Sequence, residues 1–251
     1  MRLLCVTAHP DDEAGGFGGS LQLYRSRGVE THVLCLTEGQ AATHRGSAKT
    51  GAELAVVRRA EFASACELLR VSQSEVLAYP DGGLAQLDFF AVVGDLTRRI
   101  RQIRPQVIMT FGTEGAVTAH PDHSMASLFT TMAFHWAGRT NRYPEQLEKE
   151  GLTPHRAQKL YYATASFTLP DRQPVALPPW TASIDIAPYF DTKVAAFRKH
   201  LSQAPLFEMF ENAVRQRGPR ELFLLVAAIT PRQMEHETDL FAGVVGEEGS
   251  I

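Results

Sequence analysis

Leu3-Leu4-Cys5-Val6-Thr7-Ala8-His9-Pro10-Asp11-Asp12-Glu13, followed by Gly15-Gly16-Phe17-Gly18-Gly19, is the stretch whose reading decides the fold. Its apolar start has the length and composition of a strand buried on both faces. Ser20-Leu21-Gln22-Leu23-Tyr24 can begin the following helix, which Gly28 stops after about Arg27. One imidazole and three carboxylates therefore crowd the loop where a first strand ends, and open α/β sheets place their ligands there. A loop this acidic, flanked by glycine, is not built for packing. It reads as half of a metal site, and His120-Pro121-Asp122-His123 reads as the other half.

Outward from this point, strand and helix patterns alternate. Residues 31–36 read as a second strand, ending at Thr37-Glu38-Gly39-Gln40. The polar loop that follows, with His44 and Arg45, is long enough to act as a mobile lid. A helix is expected over about 52–69, with Val56, Ala60, Ala63 and Leu68 as its apolar positions. Residues 75–79 read as a third strand, 89–103 as a helix ended by Arg104-Pro105, and 106–110 as a fourth strand. A long helix is expected from about Ser124 to Trp136. Beyond it come a polar surface excursion (143–158), strands at 160–166, 184–186 and 221–228, helices at 192–201 and 204–216, a proline-rich loop at 170–179 and a frayed tail from Glu247. The pattern predicts an α/β fold: a doubly wound, mainly parallel sheet with the active site at the C-terminal strand ends. Strands one and four are then neighbours, which brings His9 and Asp12 next to His123. Residues 1–251 show no internal boundary and read as a single domain.

Bulk properties exclude several classes. The 251 residues carry a net charge of -3, with no basic stripe for nucleic acid. Every apolar run is interrupted before membrane-spanning length. The N-terminus reads as a strand rather than a signal peptide. The three scattered cysteines, Cys5, Cys35 and Cys66, fit reduced thiols and a cytoplasmic location. The glycine cluster lacks the last Gly of GxGxxG, and its acidic neighbours would repel a pyrophosphate.

A catalytic zinc takes three protein ligands and leaves a fourth position open. His9 and Asp12, three residues apart in a proline turn, can face one ion, and His123 supplies the third donor. Asp11 is then a candidate general base. His120 is placed to stabilise an oxyanion or protonate a leaving amine, and Asp122 to orient a histidine through its ring N–H. Water, metal, base and donor together describe hydrolysis of an amide or ester. Iron accepts the same donors. Two other classes compete: metal-dependent phosphoryl transfer by Asp11 or Asp12, against which the imidazoles argue, and a non-catalytic zinc- or sugar-binding protein.

His9-Pro10-Asp11-Asp12-Glu13 and His120-Pro121-Asp122-His123 resemble the two motifs of the PIG-L/LmbE-like zinc de-N-acetylases. Further matches follow in order: Thr37-Glu38-Gly39, Arg58, Glu61, Tyr79-Pro80-Asp81-Gly82, Thr110-Phe111-Gly112, His200-Leu201-Ser202-Gln203 and Glu221-Leu222-Phe223. The resemblance implies a Rossmann-like fold and removal of acetyl from an N-acetylglucosamine conjugate, with the malate conjugate of bacillithiol synthesis as one candidate. It implies zinc on His9, Asp12 and His123, Asp11 as base and His120 at the tetrahedral intermediate. It also implies Arg58 and Asp81 as contacts to the sugar, and it allows a homo-oligomer. Three departures bear on the substrate: Gln40 where many members have Glu, Ala119 where many have Gly, and Thr118 where some have Tyr. His200 on its own reads as a helix-surface or partly buried histidine.

Overall fold

β1 (Arg2–Thr7) and β4 (Val107–Phe111) lie side by side and parallel, as the alternation predicts. The protein is described by a computed structural model covering residues 1–169, 175–231 and 233–246. With β2 (Glu30–Thr37), β3 (Gln73–Tyr79), β5 (Lys159–Thr164), β6 (Ala182–Asp185) and β7 (Arg220–Ala228), they form one sheet in the order β3-β2-β1-β4-β5-β7-β6. The first five of these positions pair in parallel, and β7 runs antiparallel to both β5 and β6. The centre is apolar because it is covered twice: β4 is buried along its whole length, and β1 after its first residue. Edge strand β3 is mostly exposed. The expected loop at 170–179 falls partly, and the tail from Glu247 wholly, outside the described residues.

Helices cover the sheet. α1 (Asp12–Ser26), α2 (Gly51–Leu68) and α6 (Phe190–Phe197) pack with one another, while α3 (Phe89–Ile103) packs on α4 (Pro121–Ala137). α5 (Pro144–Glu148) and α7 (Phe207–Arg217) complete the described α-helices. The 143–158 excursion is anchored from below. Arg101, fully buried in α3, donates to the carbonyls of Ala137, Arg139, Arg142 and Tyr143 and to the Gln146 side chain at 2.8–3.2 Å.

Three expectations need correction. α1 starts at Asp12, not at Ser20, so the glycine cluster is helical. A Cβ at Gly19 would collide with Ile186, and one at Gly15 would touch Phe197, so the glycines let α1 approach its neighbours closely. α4 likewise starts at Pro121, with His120 as its N-cap. Third, the buried face of α2 carries Leu54, Ala55, Arg58, Glu61, Phe62, Ala65 and Cys66, whereas Val56 is 69% exposed. Two charged residues face inward, so hydropathy pointed to the wrong side. The thiols of Cys5, Cys35 and Cys66 are free and buried, as expected.

Candidate active site

The loops after β1, β2, β3 and β4 meet at one end of the sheet. Asp11 is the N-cap of α1 and has φ 119°, a conformation that costs a non-glycine residue about 1–3 kcal/mol. Several partners hold it there. Its N–H donates to Glu13 Oε2 at 2.9 Å. Arg58 Nη2 donates to Asp11 Oδ2 at 2.8 Å and also to the Pro10 carbonyl, while Nη1 reaches the Gly39 carbonyl at 3.1 Å. Gly39 has φ +66°, and a Cβ there would strike the guanidinium, which explains the Thr37-Glu38-Gly39 turn. Burial pushes the Asp11 carboxyl up to about 6 against the pull of Arg58.

Asp12 opens the first helical turn. Its Oδ2 accepts the N–H groups of Ala8 (3.2 Å) and His9 (2.7 Å). It faces both expected imidazoles: Oδ1 is 3.2 Å from His123 Nε2, and Oδ2 is 3.6 Å from His9 Nδ1. An ion bonded at about 2.0–2.2 Å in tetrahedral geometry needs donors about 3.3–3.6 Å apart. Asp12 thus lies near donor spacing from each imidazole, through a different carboxylate oxygen for each, and His9, Asp12 and His123 are of the donor chemistry that could hold a metal ion. Burial would raise the Asp12 carboxyl, but His123 and His9 hold it well below the usual carboxylate range.

The far side of His9 is equally furnished. Its Nε2 lies 3.1 Å from Asp81 Oδ1 and 3.3 Å from Asp122 Oδ2. Burial pulls the imidazole pKa down, yet hydrogen bonds to Asp12, Asp122 and Asp81 hold it well above its ordinary value. Asp122 is itself fixed by the N–H groups of Gly82 (2.7 Å) and Leu84 (3.2 Å). Asp81 Oδ2 accepts the Ala41 N–H at 2.7 Å. His9 also belongs to a second possible metal group, with Asp81 and Asp122, beside the one with His120 and His123. The His123 ring stacks on Phe111 with centroids 4.1 Å apart, and its Nδ1 is 3.5 Å from the Thr118 hydroxyl.

His120 accepts the Asp122 N–H at Nδ1 (3.2 Å), so the neutral ring carries its hydrogen on Nε2. Burial, with His9 and His123 nearby, lowers its pKa and favours that neutral form.

His9, Asp11, Asp12, Asp81, His120, Asp122 and His123 are therefore gathered in one place. Arg58 lies beside them, with its guanidinium engaged by the chain itself. It is 3% exposed, and both terminal nitrogens already serve the Pro10–Asp11 and Gly39 turns. Asp81 likewise spends its carboxylate on His9 and Ala41. His200 is a further correction: it is fully buried, with Nε2 2.7 Å from Glu13 Oε1. Ser202 donates its N–H and hydroxyl to Glu61, both at 2.6 Å, and Gln203 donates to the His44 carbonyl at 2.9 Å. The loop expected as a mobile lid is thus tethered at Ala41 and His44. Sequence reasoning gave no role to Glu13, Glu61 or His200. The signal was their place in the shared motifs.

A family model described as GlcNAc-PI de-N-acetylase (PIG-L) matches residues 4–134. The chain belongs to the PIG-L family. It is a hydrolytic de-N-acetylase by that membership, with the α/β fold the family shares. A mycothiol S-conjugate amidase of Streptomyces coelicolor is 29% identical and covers 97% of each chain. A 1D-myo-inositol 2-acetamido-2-deoxy-alpha-D-glucopyranoside deacetylase of Acidothermus cellulolyticus is 30% identical, covering 96% of this chain and 94% of that one. Among solved structures, a conserved protein from Thermus thermophilus superposes with a TM-score of 0.73 at 25% identity, covering 92% of this PIG-L chain and 96% of that one. The first two relatives are named for a mycothiol conjugate and an inositol-linked acetamido sugar, and neither for a malate conjugate. No helix among the described residues is long and apolar enough to cross a membrane.

Proposed function

We propose that this protein hydrolyses the acyl amide of an N-acetylglucosamine conjugate, with an inositol-type aglycone ahead of malate. One observation carries the reading: Asp12 faces His9 and His123 at metal-donor spacing, with Asp11 held beside it by Arg58. His9, Asp12 and His123 are the proposed zinc donors. When bound, the ion polarises the amide carbonyl and makes water more acidic. Asp11 takes a proton from the attacking water as it adds to the carbonyl carbon. The Nε2–H of His120 donates to the carbonyl oxygen, which gains charge as the water adds. The proton on Asp11 then passes to the departing nitrogen, leaving a carboxylic acid and a free amine. Asp122 and Asp81 hold His9 in one orientation through its Nε2–H, which strengthens it as a donor at Nδ1. Arg58 acts as a positioning residue, keeping Asp11 in its strained backbone conformation.

The test is release of free amine from inositol-linked and malate-linked N-acetylglucosamine by zinc-loaded and chelator-treated protein. Metal-dependent turnover favouring the inositol conjugate is expected. Amine release that persists undiminished after the chelator has removed all metal would overturn the mechanism.

A further inference from the structure

We propose that the active site extends into a cavity that accepts an apolar substituent of the amino sugar, well beyond a methyl group in size. The proposal rests on the deacetylase reading above and specifies its substrate class. A cavity of about 250 Å³ is lined at one end by Asp11, Asp12 and His123. Its wall is otherwise chiefly apolar, built from Phe111, Phe197, Leu206, Met209, Phe210 and Val214 among others. Phe197 and Phe210 stack with centroids 3.8 Å apart. Gly15 and Gly16 in α1 also line it, and a Cβ at Gly16 would meet nothing within 4 Å. Arg217 is the one charged side chain in the wall besides the two aspartates.

Sugar hydroxyls placed against the apolar part of this wall, away from Thr118, Thr164 and Arg217, would lose their water partners without replacement, at a cost of kilocalories each. Further polar groups of the site lie outside it: Asp81, His120 and the Glu38–Arg59 pair do not line this cavity. The sugar ring therefore belongs on the polar side, and the cavity is left for a group attached near the scissile amide. Two attachments present the same chemistry: an acyl chain longer than acetyl, or an alkyl or aryl group on the anomeric oxygen. Each methylene buried there adds about threefold to fourfold in affinity until the cavity is full.

Calorimetric titration of the purified full-length chain with ligands that cannot be hydrolysed tests this. N-octylglucosamine against N-ethylglucosamine probes the acyl side, and octyl against methyl glucosaminide probes the anomeric side, below micelle-forming concentrations. In at least one pair the long ligand is expected to bind tenfold or more tightly than the short one, and the pair that responds names the attachment. Met209→Glu puts a charge in the wall and Ala213→Phe fills it. The long-to-short ratio falls towards one in whichever of these variants keeps the wild-type circular dichroism spectrum. No gain in either pair, or a gain untouched by a folded variant, overturns the proposal. Amine release from N-acetylglucosamine conjugates is read separately. Turnover without an affinity gain removes the cavity proposal and keeps the deacetylase. An affinity gain with no amine release from any conjugate does the reverse.

Discussion

Arg58 Nη2 lies 2.8 Å from Asp11 Oδ2 and also donates to the carbonyl of Pro10, the residue before it. A single guanidinium thus fixes both the backbone and the carboxylate of the proposed base. Burial raises the Asp11 pKa, and Arg58 is the largest influence opposing it. Arg58→Gln removes that opposition, so Asp11 holds its proton to higher pH. The acid limb of the kcat/KM profile is expected to move up by about one pH unit or more. The plateau falls on the order of a hundredfold through misplacement of the base. An unmoved acid limb would remove Arg58 from this role.

His9 and His123 are expected to be indispensable for metal, and Asp122 to tune it. His123→Ala leaves two donors and should retain little zinc after dialysis. Asp122→Asn keeps all three donors but weakens the acceptor at His9 Nε2, 3.3 Å away. Zinc affinity, measured by competition with a chromogenic chelator, should drop about tenfold to a hundredfold.

His120 separates the metal from the chemistry. His120→Ala should keep full zinc content while kcat falls about a hundredfold or more, as for loss of an oxyanion donor. A kcat equal to wild type would exclude the ring from the transition state.

The buried His200–Glu13 pair predicts a pH-dependent stability. Burial lowers the His200 pKa, but Glu13 outweighs it and the folded-state value lies above that of an exposed histidine, about 6.5. The folded state therefore holds this proton more tightly than the unfolded chain. The contribution is complete below the unfolded pKa and is lost as pH rises through the folded one. Thermal melts of wild type and His200→Gln between pH 5 and 9, in the absence of zinc, should converge as pH rises. A constant gap would show that the proton plays no part.

Ala119 occupies the left-handed region at φ 50°, just before the second histidine motif. That conformation costs an L-residue about 1–2 kcal/mol, partly offset in glycine by greater chain entropy. Ala119→Gly should raise stability by up to about 1 kcal/mol, read as a higher Tm, without disturbing zinc content.

The sheet centre and the gathering of the proposed metal donors were legible because each is written locally: an uninterrupted apolar run, then a histidine and aspartates within one turn. The neighbouring of β1 and β4 follows from strand alternation. The start of α1 was not legible, since four glycines look like a loop until Ile186 and Phe197 occupy the space they leave. Arg58 and Glu61 misled the reading of α2 because charged side chains ordinarily face water. The role of His200 depends on Glu13, 187 residues earlier, a distance over which no local pattern reports.

All the proposed metal and catalytic residues lie between His9 and His123, yet Glu13, which holds the Asp11 N–H, and Glu61, on the inward face of α2 with Arg58, look to the far end of the chain. Glu13 leans on His200, and Glu61 on Ser202. A polypeptide cut off after residue 134, where the family match ends, would possess every proposed ligand and lose both counterparts. Its two stranded carboxylates would each seek water, pulling Asp11 and the inward face of α2 with them. The catalytic half is therefore not a portable module. It works only when the later segment has come round and locked behind it.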